Sequence, residues 1–149
     1  MLNKFYSTLL LTLLPFILSA QAFMTPITLK VDINQLEGVG TNIHINVSSN
    51  VMSWSSTPMD DSDGDGIYEK TIYVGSSAGQ QTEFLYAFQL QSTMGMLINM
   101  QWEGNEDSEC LYDGSNDGYG GFGKVRKLLV PSQIPSNFIV STCWNECTS

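Results

Sequence analysis

The chain has 149 residues, 42 % of them hydrophobic, and carries six Lys/Arg against fifteen Asp/Glu, a formal net charge of −9. That length suffices for one domain with a genuine core. The acidic balance repels phosphate backbones and anionic lipid, so nucleic acid and acidic membrane surfaces are excluded as partners.

The first residues, MLNKFYSTLLLTLLPFILSAQAF, place one cation at Lys4 before an apolar run from Leu9 to Leu18, followed by Ala20-Gln21-Ala22. A basic start, a short apolar stretch and a small-x-small site describe a secretory signal peptide over residues 1–22. The run is shorter than the roughly 20 residues a membrane-spanning helix needs. The expectation is a secreted protein, extracellular or periplasmic, whose residues 23–149 form one domain with no membrane attachment. Loss of Lys4 with the leader makes it more acidic by one charge.

From residue 27 onward apolar and polar residues alternate, and no helical periodicity competes. ITLKVDI (27–33) puts Ile27, Leu29, Val31 and Ile33 on one face, and NIHINV (42–47) does so with Ile43, Ile45 and Val47. IYEKTIYV (67–74) is rich in β-branched and aromatic residues. TEFLYAFQL (82–90) aligns Phe84, Tyr86, Phe88 and Leu90, and MLINMQW (96–102) aligns Met96, Ile98, Met100 and Trp102. KVRKLLV (124–130) and SNFIVSTC (136–143) complete the set. About seven short strands separated by Gly, Ser, Asn and Asp clusters predict an all-β fold, an immunoglobulin-like antiparallel β-sandwich.

Between the second and third of these strands stands MDDSDGDGIYEK (59–70), with four Asp and two Gly among residues 60–66. Asp61, Asp63 and Asp65 at alternate positions before Gly66 match the first half of a calcium loop, in which oxygen ligands wrap a hard cation. The twelfth position, where a bidentate Glu belongs, is Ile72, and strand patterns rather than helices flank the segment. An EF-hand is excluded. A tight turn is the reading, since Asp and Gly accept the local hydrogen bonds and positive φ of such turns; a partial calcium site at Asp61, Asp63 and Asp65 is its alternative.

His44 is the one histidine, on the polar face of its strand beside Asn42 and Asn46, with no nucleophile motif to complete a triad. The paired carboxylates Asp60/Asp61, Glu106/Asp107 and Asp113/Asp117 lie in polar, loop-like runs and read as solvated surface rather than as a glycosidase pair. GYGGFG (118–123) precedes a strand, not a helix, and lacks the Lys-Ser/Thr of a phosphate loop; it displays Tyr119 and Phe122. No catalytic centre is read, and the chain is not expected to be an enzyme.

Cys110, Cys143 and Cys147 form an odd set in a compartment that permits disulfides. Cys110 with Cys143 closes a loop of about 34 residues, worth roughly 3.5–4 kcal/mol in the chain-entropy account; Cys110 with Cys147 is the alternative. The remaining thiol offers a bond to a protein partner.

Trp54, in the turn-prone VMSWSSTPM, and Trp102, between a strand and EGNED, are flat indoles at strand ends. Such groups stack on the apolar faces of sugar rings, with polar neighbours fixing orientation. The order of features resembles the starch- and glycogen-binding modules of family 20 and 48 type, in the variant found in secreted bacterial proteins. It runs from ITLKVDI through a Trp, PMDDSDGDGIYE, FLYAFQL, QWEGNEDSEC, GYGGFG and KVRKLLVP to CWNEC. The resemblance implies a β-sandwich that binds an α-glucan through Trp54 and Trp102, with Tyr119 or Phe122 assisting, and without a cofactor. Ser49-Asn50-Val51-Met52-Ser53 replaces the usual approach to the first Trp, and Ala87 stands where the modules carry a lysine. The rival expectation is a secreted protein-interaction or assembly domain that keeps the sandwich but not the sugar.

Overall fold

The computed structural model describes residues 23–76, 82–103, 112–113, 124–130 and 138–146. The expected signal peptide, the aromatic loop with Tyr119 and Phe122, and the cysteines Cys110 and Cys147 lie outside the described residues.

Among the described residues nine strands follow in chain order: β1 (Phe23–Asp32), β2 (Thr41–Ser49), β3 (Thr57–Pro58), β4 (Ile67–Ser76), β5 (Thr82–Met94), β6 (Leu97–Trp102), β7 (Tyr112–Asp113), β8 (Lys124–Val130) and β9 (Phe138–Cys143). A 3-10 turn, Asn50–Met52, follows β2. Each of the seven strands read from the alternation is present; the two additions, β3 and β7, have two residues each, too short for a periodic signal.

The strands make two sheets packed as a sandwich. The smaller has the order β4-β1-β9, and the larger runs β3-β2-β5-β8-β7 with β6 also on β5. All pairings are antiparallel except one: β9 lies parallel to β1, with Ile27 opposite Phe138 and Asp32 opposite Cys143. A parallel neighbour needs a long crossover rather than a hairpin, and β9 has one, because it follows β8 of the other sheet. The antiparallel β-sandwich expected from the sequence is present, and it includes this one parallel pair.

The alternation on β1 is borne out: Ile27, Leu29, Val31 and Ile33 are all buried. Together with Ile72 and Val74 of the neighbouring β4 they face Ile45 and Val47 of β2 and Phe84, Tyr86, Phe88 and Leu90 of β5 in one continuous core. Along β5 the Phe84 and Tyr86 rings stack at 5.1 Å, and Tyr86 meets Phe88 edge-on at 5.5 Å. Trp144, just past β9, closes the same core and donates its backbone N–H to the Asp32 carbonyl at 2.9 Å.

One alternation does not face this core. Trp102 stands opposite Gln89, Met100 opposite Gln91 and Ile98 opposite Thr93. Those β5 residues alternate with the buried Phe88 and Leu90, so Ile98 and Met100 point to the outer side of the larger sheet, where they are 66 % and 63 % exposed. Met96 is not in the strand at all but in the two-residue turn with Gly95. The pattern was real, and its apolar face looks outward.

A buried ion pair closes one end of the sandwich. Glu103, directly after β6, and Arg126 of β8 are 2 % and 4 % exposed. Arg126 Nε donates to Glu103 Oε2 at 2.9 Å, and its Nη2 reaches Glu103 Oε1 in a two-pronged contact. The same Nη2 donates to the carbonyls of Cys143 at 3.1 Å and Glu146 at 2.7 Å, while Glu103 Oε1 accepts the Asn145 N–H at 2.9 Å. The pair thereby ties β6 and β8 of one sheet to the end of β9 in the other.

Removing one partner of such a pair leaves a buried charge uncompensated, at a cost of about 3–5 kcal/mol. Glu103→Gln is therefore expected to lower unfolding free energy by about 3 kcal/mol or more, read from the midpoint of a denaturant titration. Replacing both Glu103 and Arg126 by Leu should cost less than the sum of the single changes.

Candidate functional site

Trp54 owes its place to an unusual backbone. After β2 the chain makes the 3-10 turn, then Ser53 and Trp54 both adopt left-handed conformations, with φ 52° and 60°. For a non-glycine residue that costs about 1–2 kcal/mol, and for a bulky indole it marks a position held by its surroundings. The holding bonds are local: Ser53 N–H donates to the Asn50 carbonyl at 3.2 Å, and Trp54 N–H reaches back to the Ser49 carbonyl at 2.8 Å.

Asn50 anchors this turn to the sheet. β2 pairs with β5 as far as Ser49 opposite Tyr86. Beyond that point the Asn50 side chain takes over the ladder, accepting the Leu85 N–H at 3.1 Å and donating to the Glu83 carbonyl at 3.2 Å. A side-chain amide, one donor beside one acceptor, substitutes here for a strand residue.

Trp102 arrives from the other side, as the last residue of β6. Both indoles are half-buried and pack against one small cluster, Leu85, Ala87 and Val125. These three lie on the outer face of the larger sheet, because β5 sends Phe84, Tyr86 and Phe88 inward and Leu85 and Ala87 outward. The two tryptophans singled out from sequence are thus brought to one patch, each with one side against protein.

On the β8 side Leu85 stands opposite Lys127, which is paired with Glu83 at 2.5 Å, whereas the rows toward β6 carry no Asp, Glu, Lys or Arg. Strand register places Asn46, Gln89 and Trp102 in one row across β2, β5 and β6, and His44, Gln91 and Met100 in the next. His44 is exposed, as its place on the polar face of its strand predicts. An outer face with two indoles over an apolar floor, flanked by amides that both donate and accept, suits a neutral polyhydroxylated ligand.

The acidic segment folds as a turn. Asp60 and Glu69 form an antiparallel bridge, exchanging backbone bonds at 2.9 and 2.8 Å. Asp65 Oδ1 accepts the Ile67 N–H at 2.8 Å, and the Asp65 carbonyl accepts the Asn34 side-chain amide at 2.9 Å. Gly66 has φ 81° and lies so close to that Asn34 amide that a Cβ would meet it at 2.3 Å, so glycine is required there. The turn also draws the carboxylates of Asp61, Asp63 and Asp65 within 4.8 Å of one another, and Asp61 Oδ1 is buried without a hydrogen-bond partner.

Cys143 is a half-buried free thiol, and its expected partner Cys110 lies outside the described residues. Burial raises the thiol pKa, and Glu146 and Asp32 raise it further against a smaller opposing effect of Arg126. A thiol so placed yields little of the thiolate that disulfide exchange requires. Cys110 and Cys147 are outside the described residues, as are Tyr119 and Phe122.

Three residues escaped the sequence reading. Arg126 was one of the cations of a basic strand and Glu103 one acid of a loop-like run, yet both are buried. Asn50 was only part of the approach to Trp54. Strand alternation carried a signal for Glu103: it follows the outward Trp102, so it points inward, where a carboxylate needs a cation.

No protein-family model matches the chain, and no curated protein is significantly similar to it.

Three variants test these anchors. Asn50→Ala leaves the Leu85 N–H and the Glu83 carbonyl without a partner, and unfolding free energy is expected to fall by about 1–2 kcal/mol. At the acidic turn, Asp65→Ala removes the acceptor for Ile67 N–H and should cost about 1 kcal/mol, whereas Asp65→Asn keeps it and should unfold close to the parent. If the turn serves the backbone alone, calcium shifts the unfolding midpoint no more than its ionic strength does; a larger rise would show the three carboxylates binding the ion.

Proposed function

We infer that this chain is a secreted, non-catalytic carbohydrate-binding domain whose ligand is a neutral polysaccharide of α-glucan type. The observation that carries the reading is the convergence of Trp54 and Trp102 on one outer-face patch over Leu85, Ala87 and Val125. Indoles with one side against protein act as platforms: the remaining surface meets the C–H face of a sugar ring, and amides such as Gln89 and Asn46 take its hydroxyls. The rows of Asn46, Gln89 and Trp102 and of His44, Gln91 and Met100 offer amides for sugar hydroxyls, and the nearby Glu83 is engaged with Lys127, which suits binding rather than hydrolysis. The strain at Ser53 and Trp54 fits a functional position, since the fold sustains it for one side chain.

The choice of α-glucan rests on the resemblance of residues 27–147 to starch-binding modules, and secretion on the leader-like residues 1–22. Stacking plus a few hydrogen bonds at an open surface gives affinities of about micromolar to millimolar.

Affinity electrophoresis through native gels containing starch, glycogen, laminarin or hydroxyethyl cellulose tests the reading. Retardation is expected in the starch and glycogen gels. Trp54→Ala and Trp102→Ala should abolish it while each variant still unfolds cooperatively. Tyr73→Ala, an exposed aromatic on the smaller sheet, should be retarded like the parent. Equal retardation of both tryptophan variants and the parent would remove the site, and no retardation in any gel would remove the glycan.

A further inference from the structure

We propose that the protein is a two-fold dimer in which the outer edge of β6 pairs antiparallel with β6 of a second copy. Among the described residues β6 pairs only with β5. The hydrogen-bonding phase of that pairing is set by the Glu103 N–H, which donates to the Phe88 carbonyl at 2.9 Å in register with the strand pair. Antiparallel ladders alternate bonded and non-bonded pairs. Asn99 and Gln101 therefore turn their backbone groups to β5, while Ile98 and Met100 turn theirs to the open edge.

Most sheet edges are guarded by charge, proline or brevity. β4 carries Glu69 and Lys70, β3 ends at Pro58, and β7 has two residues. β6 carries none of these guards; neither does β9, the other edge of the smaller sheet, which lacks the run of exposed apolar residues found at β6. The whole stretch 84–102 contains no Asp, Glu, Lys, Arg or His. Around its hairpin Met94, Met96, Leu97, Ile98 and Met100 are at least half exposed.

A second copy is the occupant that this edge fits. Two chains of net charge −9 repel wherever their acidic surfaces meet, and the β5–β6 hairpin is the uncharged surface through which they can approach. The edge is also self-complementary. A two-fold axis at Asn99 sets Ile98 opposite the second copy's Met100, each pair exchanging both backbone bonds and placing apolar side chains against apolar ones on the outer face. The two larger sheets then join into one, with both tryptophan patches on the same face. This geometry stands whether or not the patch binds a glycan.

Sedimentation equilibrium of the protein without its leader, over a range of concentrations, reads the state directly, and a dimer is expected. Met100→Pro removes an N–H that faces the open edge and leaves the bonds to β5 intact. Ile98→Lys adds the missing guard charge. Both variants should sediment as monomers, with at least a tenfold weaker association than the parent. A parent that is monomeric at every concentration overturns the proposal, as does a dimer that survives both substitutions.

Discussion

The bidentate contact between Glu103 and Arg126 is the constraint on which the arrangement of both sheets depends. Two charges are taken out of water at one end of the sandwich, and their burial is offset by the partners of Arg126 Nε and Nη2 and of both Glu103 oxygens. Glu103 begins the chain beyond β6, Arg126 lies in β8, and the backbone groups they bind belong to the end of β9 and the turn after it. A set of partners this specific fixes more than stability. It sets where β6 ends, and so where the Trp102 indole stands. It also sets how far β9 can slide along β1. An apolar contact of equal area would hold the sheets together while permitting several registers.

The outer face of the larger sheet is built on the opposite principle. Its floor is three small or medium apolar side chains, and its walls are two indoles delivered by different devices. Trp102 comes in by strand register, at no conformational cost. Trp54 comes in by two left-handed residues, a cost offset by the backbone bonds of the turn and by the Asn50 clamp on β5. Convergence of two aromatic rings by such unlike routes on one spot of an otherwise polar face is what gives that spot its identity. A pair of buried core tryptophans would need neither the strain nor the surrounding amides.

How much of this was legible in the sequence follows from which forces act locally. Strand alternation is a two-residue signal, and it located every long strand and the inward faces of β1, β2 and β5. On β6 the same signal left the sense open, because alternation says that two faces differ and not which one meets the core. β3 and β7 are fixed by pairing partners distant in sequence and have no pattern of their own. Arg126 and Glu103 are 23 residues apart, and nothing in either neighbourhood distinguishes a buried ion from a solvated one. The parallel course of β9 is likewise a property of the crossover between sheets. The acidic turn was legible because Asp and Gly act on their own backbone, within a few residues.

These two kinds of surface, the saturated ionic end and the open β6 edge, bear on each other through Trp102. The indole is held from one side by the register that Glu103 enforces and lies on a strand that, among the described residues, pairs on one side only. A ligand stacked on Trp102 and a strand added to β6 would therefore act on the same six-residue element from two directions. Ordering that element by either contact lowers the conformational cost of the other. Two patches on one continuous sheet would in turn turn a weak single-site affinity into avidity, provided that a polymer spans both. That coupling needs no switch and no moving part. It follows from a short edge strand, fixed at one end by a buried charge, carrying an aromatic platform on its outer face.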